Sequence, residues 1–271
     1  MTAPHGVDGL SNPPVPRRSR FEGVLQIVRF NWTMYAAALA VLVIGVALLA
    51  TVRWPVGGNW AVAAVLLLLG WWTLGSLAVS HWVYDRSELY RWTWAPRTLG
   101  LRFGTGVRWI NVHAGLDEST YGLRTILESD PLAVVDLYDP RVMTERSVIR
   151  ARARQARSGG VWPETLQGPG ALEGVAPDLD AVFLVLAAHE LRRHQERAEL
   201  LRTCAERLGS TGRIVLTEHV RDAANVVAFG PGAWHFHSRA TWMKAVRSAG
   251  LACIDESRVT PFVRVFVLAR R

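Results

Sequence analysis

Hydrophobic and polar positions divide the chain into three regimes. Residues 33–52 carry no charge, and the run "MYAAALAVLVIGVALLATV" within them is long enough to cross a hydrocarbon core of about 30 Å as one helix. Arg53 and the short turn "WPVGGN" interrupt it. A second charge-free stretch covers 54–84, with "WAVAAVLLLLGWWTLGSLAVSHW" at its heart. Trp32, Trp54, Trp60 and Trp82 stand near the ends, as interfacial aromatics do. Two adjacent spans of this length argue against a core hairpin of a soluble domain. A cleaved signal peptide is disfavoured too, because the first span lies far from Met1 and is followed at once by a second. Residues 31–84 therefore read as a pair of transmembrane helices. His81, one turn from the end of the second, reads as an interfacial histidine.

Beyond Asp85 the pattern changes. "DRSELYRWTWAP" reads as an aromatic interfacial segment leading off the membrane, part of a juxtamembrane linker over 85–104. From 105 to 271 apolar runs of strand length alternate with amphipathic stretches. Strands are expected at 107–113, 132–138, 180–187, 212–219, 251–257 and 262–269. Helices are expected at 118–129, from Asp139-Pro140 through "RVMTERSVIRARARQAR", across "HELRRHQERAELLRTCAERLG" and at 239–250. Asp139 as N-cap with Pro140 at the first position is a helix start, and Gly209 is a helix stop. Residues 158–177 read as a Gly/Pro-rich loop. The unbroken apolar run "DAVFLVLA" fits a strand buried on both faces of a parallel sheet. Alternation of this kind predicts a doubly wound α/β sheet, mostly parallel, preceded by the helical hairpin. Such sheets bind ligands outside the carboxyl ends of their strands, so the loops after each strand become the candidate sites.

Charge orients the hairpin. Arg17, Arg18, Arg20 and Arg29 precede the first span; Arg86, Arg91, Arg97 and Arg102 follow the second; the turn holds only Arg53. The positive-inside rule then places both termini and the soluble part in the cytoplasm. Residues 1–30 read as a disordered, basic, membrane-proximal tail, Pro- and Gly-rich over the first twenty. The formal charge is +8, with Lys244 the only lysine. No basic run is interleaved with aromatics, so the excess reads as a solvated face and no nucleic-acid partner is expected. Cys204 and Cys253 lie far apart, which excludes a disulfide framework or a cysteine-based zinc site and suits a reducing compartment.

Polar density concentrates after two strands. His189 and Glu190 follow one. Glu218, His219, Arg221, Asp222 and Asn225 follow the next, leading to "GPGAWHFHSR" with His235, His237 and Arg239. The sheet rule sends both ends to one rim. Three readings stand: a histidine general base, whose pKa suits proton removal near neutral pH; metal ligation by His189, Glu190, His219, His235 and His237; or hydrogen-bonded loop structure. No HExxH-like spacing fixes a metal geometry, and no metal is expected. "HFH" as part of a strand puts both histidines on one face.

The order of strand, Gly loop, helix, strand ending in Asp, helix, "DLDAVFLVLAAHEL" and "LLRTCAERLGSTGRIVLTEH" resembles the class I S-adenosylmethionine-dependent methyltransferases over residues 105–271. The resemblance implies a seven-stranded Rossmann-like sheet and S-adenosyl-L-methionine as cofactor. Laid on the family's first motif, a D-x-G-x-G-x-G pattern, "INVHAGLDEST" places Asn111, His113, Gly115 and Asp117 at the motif positions, and only Gly115 is kept. Asp117 tolerates left-handed backbone better than most residues, and Ser119 or Thr120 caps the next helix. Asp136, at the end of the second strand, stands where the family's acid accepts the ribose hydroxyls; Asp180 falls among the cofactor-binding positions as well. His189, His219, His235 and His237 would then face the acceptor. The implied protein is a membrane-anchored methyltransferase acting on a hydrophobic or membrane-associated small molecule. The altered loop also admits a non-methylating descendant of the fold, a tethered scaffold or binding protein.

Overall fold

The computed structural model describes residues 19–55, 57–100, 106–158, 162, 165–168 and 170–271; the first part of the expected tail, residues 1–18, lies outside them. The helices are α1 (Glu22–Phe30), α2 (Trp32–Thr51), α3 (Gly58–His81), α4 (Trp94–Leu99), α5 (Thr120–Leu127), α6 (Arg146–Ser158), α7 (His194–Arg207), α8 (Ala223–Phe229) and α9 (Arg239–Ser248). The strands are β1 (Trp109–His113), β2 (Ala133–Asp136), β3 (Thr165–Gln167), β4 (Leu179–Val185), β5 (Leu208–His219), β6 (Leu251–Thr260) and β7 (Val263–Arg270).

Both long apolar runs are helical, and α2 and α3 are long and apolar enough to cross a membrane. They pack side by side. Gly45 permits the approach, since a Cβ there would stand 2.5 Å from Leu66; small residues serve close helix contacts in this way. Leu39, Val43, Leu67 and Leu74 are exposed on the outer faces, where a lipid phase would meet them.

Residues 22–30, expected in a disordered tail, form α1 instead. The reason lies sixty residues away in the chain. The N-cap residue Phe21 offers no side-chain cap, and the buried Asp85 carboxylate accepts the Gly23 and Val24 N–H groups at 2.6 and 3.0 Å. A carboxylate at a helix N-terminus satisfies orphan donors and faces the positive end of the helix dipole. Arg150 donates to the Phe30 carbonyl and Arg154 pairs with Glu22, so α1 is strapped to α6.

The segment after α3 does not lead away along an interface. A single π-helical turn, Trp82–Arg86, ends the helix. Leu89, Trp92 and Ala95 then enter the core of the soluble part, Trp92 beside Trp109, Leu123 and Phe183. Gly122 makes room for Trp92, whose Nε1 would be 1.9 Å from a Cβ at that position.

Among the described residues, seven strands form one sheet in the order β3-β2-β1-β4-β5-β7-β6. β1 to β5 are parallel and β7 is antiparallel to both neighbours. One face packs on the Trp92 cluster. The other packs on α7 and α9 through Leu201, Ala205, Trp242 and Val246. This two-sided burial is what the unbroken apolar run of β4 requires.

Local differences from the sequence reading have local causes. The supposed loop over 158–177 contains β3, an edge strand of three residues paired with β2, too short for periodicity to reveal. Asp139 does not start α6: its carboxylate accepts the Arg141 N–H and pairs with the Arg141 guanidinium, which closes a single turn, and α6 begins at Arg146. Gly209 does not end a helix, because β5 already begins at Leu208.

Candidate functional site

The crossover between β1 and β4 is the topological switch point, where the strand order reverses and a crevice opens at the carboxyl edge. A cavity of about 770 Å³ lies there. Its floor is the sheet edge: Ala114 and Leu116 after β1, Val185 and Leu186 after β4, His219 at the end of β5. Its upper walls are α1, α2 and α3, from Gly23 and Phe30 to Tyr35, Ala38, Val65 and Trp72. The two long apolar helices therefore form part of the cavity wall, α2 through Met34, Tyr35 and Ala38 and α3 through Val65, Leu68 and Trp72. Leu186 holds φ +50, a conformation that costs a non-glycine residue roughly 1–3 kcal/mol, and its N–H donates to the Thr217 carbonyl.

The domain docks on α3 through close contacts. Trp71 Nε1 donates to the Val227 carbonyl. Gly230, at φ +52, sits so near the Trp72 ring that a Cβ would be 2.3 Å from it. Tyr84, just past α3, places its hydroxyl 2.8 Å from His219 Nε2. His219 Nδ1 lies 3.0 Å from the Phe262 carbonyl; a carbonyl only accepts, so Nδ1 carries the proton and Nε2 accepts from Tyr84. Burial, aided by the charge of His189, pushes the His219 pKa down to about 4. His219 is thus a neutral histidine whose free lone pair is occupied.

His189 is held differently. Glu218, fully buried, takes the His189 backbone N–H with one oxygen at 3.2 Å and the ring Nδ1 with the other at 2.7 Å. His189 Nε2 lies 3.2 Å from Glu190. His235 puts Nδ1 3.4 Å from Glu145 and Nε2 3.8 Å from Glu190. Burial opposes charge on His189, but the Glu218 charge and the bonds to Glu190 and Glu218 outweigh it and hold its pKa well above the usual value. His235 is raised too, burial again being outweighed by the bonds to Glu145 and Glu190. Burial acts upward on Glu190, but both histidines prevail and hold its carboxyl far below the usual range. Arg192 donates to the backbone carbonyls of His189 and His235, tying the two loops together.

The fourth histidine departs from the expectation. His235 ends a 3₁₀ turn, Gly230–His235, rather than lying in a strand, so His235 and His237 do not share a face. His237 Nε2 accepts from the buried Arg197 at 2.9 Å, and its ring meets Trp242 edge-on. Burial and the neighbouring arginines push its pKa down to about 4. It lies outside the cavity lining, which brings together His189, His219 and His235.

The loop after β1 is internally braced. Asn111, fully buried, donates to Asp117 and Thr120 and accepts from Ser119. Asp117 also accepts the N–H groups of Ser119 and Thr120, so it, and not a hydroxyl residue, caps α5. Asn111 and Asp117 Oδ1 are thus committed to bracing the loop and the start of α5. Asp117 keeps negative φ; Gly115 supplies the left-handed turn at φ +89. The Gly115 N–H donates to Asp136 at 2.8 Å. His113 Nδ1, buried without a hydrogen-bond partner, is 3.6 Å from the same carboxylate. Arg152 of α6 pairs with the other Asp136 oxygen and lies over Tyr138.

Asp180 is the clearest misplacement. It is the second residue of β4, and it accepts the Arg108 N–H at 2.8 Å. That is the amino end of the strand, opposite the edge where ligands sit. Tyr84, Glu145, Arg152 and Arg192 were not foreseen: Tyr84 meets His219, Glu145 meets His235, Arg152 meets Asp136 and Arg192 meets the His235 carbonyl, each in another element, and no local pattern marks them.

The N,N-8-amino-8-demethyl-D-riboflavin dimethyltransferase of Streptomyces davawensis aligns over 94% of this chain and 74% of its own, at 16% identity and TM-score 0.50. The mitomycin 7-O-methyltransferase aligns over 95% and 74%, at 11% identity and TM-score 0.49. A pyocyanin biosynthetic protein aligns over 73% of this chain at 17% identity and TM-score 0.48, and the chain spans only 58% of its length. No family model matches the sequence, and no curated protein matches it. The architecture is the Rossmann-like methyltransferase fold, a seven-stranded sheet with two apolar helices added at the N-terminal side.

Proposed function

We propose that this protein is a membrane-anchored, S-adenosylmethionine-dependent methyltransferase whose acceptor is an amphiphile. The observation that carries the reading is the shape and chemistry of the cavity. One end is the His189–Glu190–His219–His235 rim at the carboxyl edge of the sheet; the other is walled by α2 and α3. From Ser80 to Val65, both on the wall, α3 rises about 22 Å at the ordinary helical rise. A molecule with a polar, nucleophilic head and an apolar body matches both ends. A fully polar metabolite would leave the helical walls without a partner.

The residues beside the switch point fit the cofactor in kind. Gly115 forms the one left-handed turn of the loop, a point of close backbone approach. Asp136 stands at the end of β2 with the orphaned His113 Nδ1 beside it. Arg152 covers Asp136, but it is an ion-pairing side chain at the surface of α6, 28% exposed, and a ribose diol would take its place on the carboxylate. When bound, S-adenosylmethionine supplies an electrophilic methyl group. The chain's part is to hold the acceptor head against that group in a site shielded from water, which is the main lever in such a transfer. The histidine–carboxylate cluster orients the acceptor head by hydrogen bonds, and the proton that leaves the acceptor passes to solvent. Arg20, Arg29, Arg86, Arg91 and Arg97 flank the two spans and support a cytoplasmic catalytic domain with both termini on that side.

The test is calorimetric titration of S-adenosylmethionine and its demethylated product into the full chain in detergent micelles, with Gly115→Val as control. Binding to the native chain and none to the variant is expected. A folded native chain that takes up neither compound at millimolar concentration overturns the reading and leaves a non-methylating descendant.

A further inference from the structure

We propose that His189, Glu190 and His235 form a binding site for a divalent transition-metal ion, open to the cavity. The three side chains offer one ligand atom each, and those atoms lie within 4.8 Å of one another. Glu190 is the shared member, 3.2 Å from His189 Nε2 and 3.8 Å from His235 Nε2. Ligand atoms around one ion at bonds of about 2.0–2.2 Å stand roughly 3.0–3.5 Å apart, so the trio needs only a small contraction.

The orientation of the rings is the second observation. Each histidine turns Nδ1 outward onto its own carboxylate, Glu218 for His189 and Glu145 for His235. Each turns Nε2 inward to the same point. Histidine ligands to metals are oriented in this way by carboxylates behind them, which fix the tautomer and strengthen the donor nitrogen. Glu218 holds His189 by ring and backbone together, and Arg192 clamps the carbonyls of both histidines. This is a preformed arrangement rather than two mobile surface side chains.

Three carboxylates, Glu145, Glu190 and Glu218, surround the two imidazoles, and a divalent ion on the two Nε2 atoms would take the place of the protons that those nitrogens share with Glu190. The donor set of two histidines and one carboxylate leaves coordination positions open, and these face the space for the acceptor head. Resting on the methyltransferase reading, the ion would bind the acceptor oxygen and favour its deprotonated form, the proton passing to solvent water before the oxygen attacks the methyl group. The substrate class narrows accordingly to an amphiphile whose head carries an oxygen donor.

The experiment is titration of Co²⁺ alone into the metal-stripped full chain in micelles, followed by visible absorption and calorimetry. One Co²⁺ per chain, with absorption bands that Glu190→Gln and His235→Ala lose while His237→Ala keeps them, supports the site. Glu218→Gln is expected to weaken uptake by about tenfold to hundredfold. Thermal unfolding of each variant separates loss of the site from loss of the fold. Absence of stoichiometric Co²⁺ uptake, or equal uptake by the native chain and Glu190→Gln, overturns the proposal and leaves an ion-paired cluster. Cofactor titration runs separately: Co²⁺ bound without S-adenosylmethionine would sink only the methyltransferase reading, and the reverse only the metal site.

Discussion

Replacing Asp85 with Ala tests how the apolar hairpin is joined to the rest of the chain. The Asp85 carboxylate is fully buried and accepts two N–H groups from the first turn of α1, at 2.6 and 3.0 Å, with His81 Nδ1 at 3.0 Å on the same side. Losing one capping acceptor ordinarily costs 0.5–2 kcal/mol, about 1 in the middle of the range. Two donors are stranded here, and Gly23 is buried, so the loss is about 2–4 kcal/mol, nearer the upper end if water fails to reach the donors. It falls on the local opening of α1, which is held otherwise by Arg150, Arg154, the Phe21–His81 stack and its packing. At about 1.4 kcal/mol per tenfold, the open population rises by roughly 30-fold to several hundred-fold. The assay is hydrogen exchange over residues 22–30, with tryptic cleavage at Arg29 as a second probe. In the regime where closing outpaces cleavage, both report that population directly. Asp85→Asn keeps one acceptor oxygen and should show about half the effect in free energy. If Asp85→Ala exchanges within twofold of the native chain while remaining folded, the long-range cap contributes nothing and the account of α1 is wrong.

Four further outcomes are expected. Gly230→Ala should destabilise docking of the domain on α3 by about 2–5 kcal/mol, combining a positive-φ penalty with overpacking against Trp72; a thermal unfolding curve that does not move would contradict this. His219 stays neutral in the fold down to about 4 and titrates near 6.5 when unfolded. The unfolded chain therefore binds the extra proton as the pH falls from about 6.5 to about 4, and stability present above that window is lost across it, by about 3 kcal/mol in order of magnitude. His219→Asn should flatten that slope in denaturant titrations. Asp136→Ala should weaken S-adenosylmethionine binding by about 1.5–3 kcal/mol, whereas Arg152→Ala, which frees the Asp136 carboxylate, should tighten it; equal affinities by calorimetry would remove Asp136 from the cofactor site.

The gross architecture was legible because it rests on period and length. Two uninterrupted apolar runs can bury their backbone polar groups only as helices. The "DAVFLVLA" and "GRIVLTEH" runs fit strands covered on both faces, and their alternation with amphipathic stretches leads to a doubly wound sheet. Asp136 and Gly115 were locatable for the same reason, since a strand end and the glycine turn before a helix have fixed places in such a sheet. The rim histidines at the ends of β4 and β5 followed from the sheet rule. Tertiary structure alone decided which polar groups meet. Asn111 and Asp117 are exposed donors and acceptors on paper, yet in space they brace one another. His235 and His237 stand two residues apart, but a 3₁₀ turn sends one to Glu145 and Glu190 and the other to Arg197. Asp85 caps a helix through N–H groups 62 and 61 residues earlier in the chain, and Tyr84 reaches across 135 residues to His219. Burial periodicity is a local property that each segment carries with it. Pairing of buried polar groups is set by the few ångströms between elements after they pack, and no segment carries that by itself.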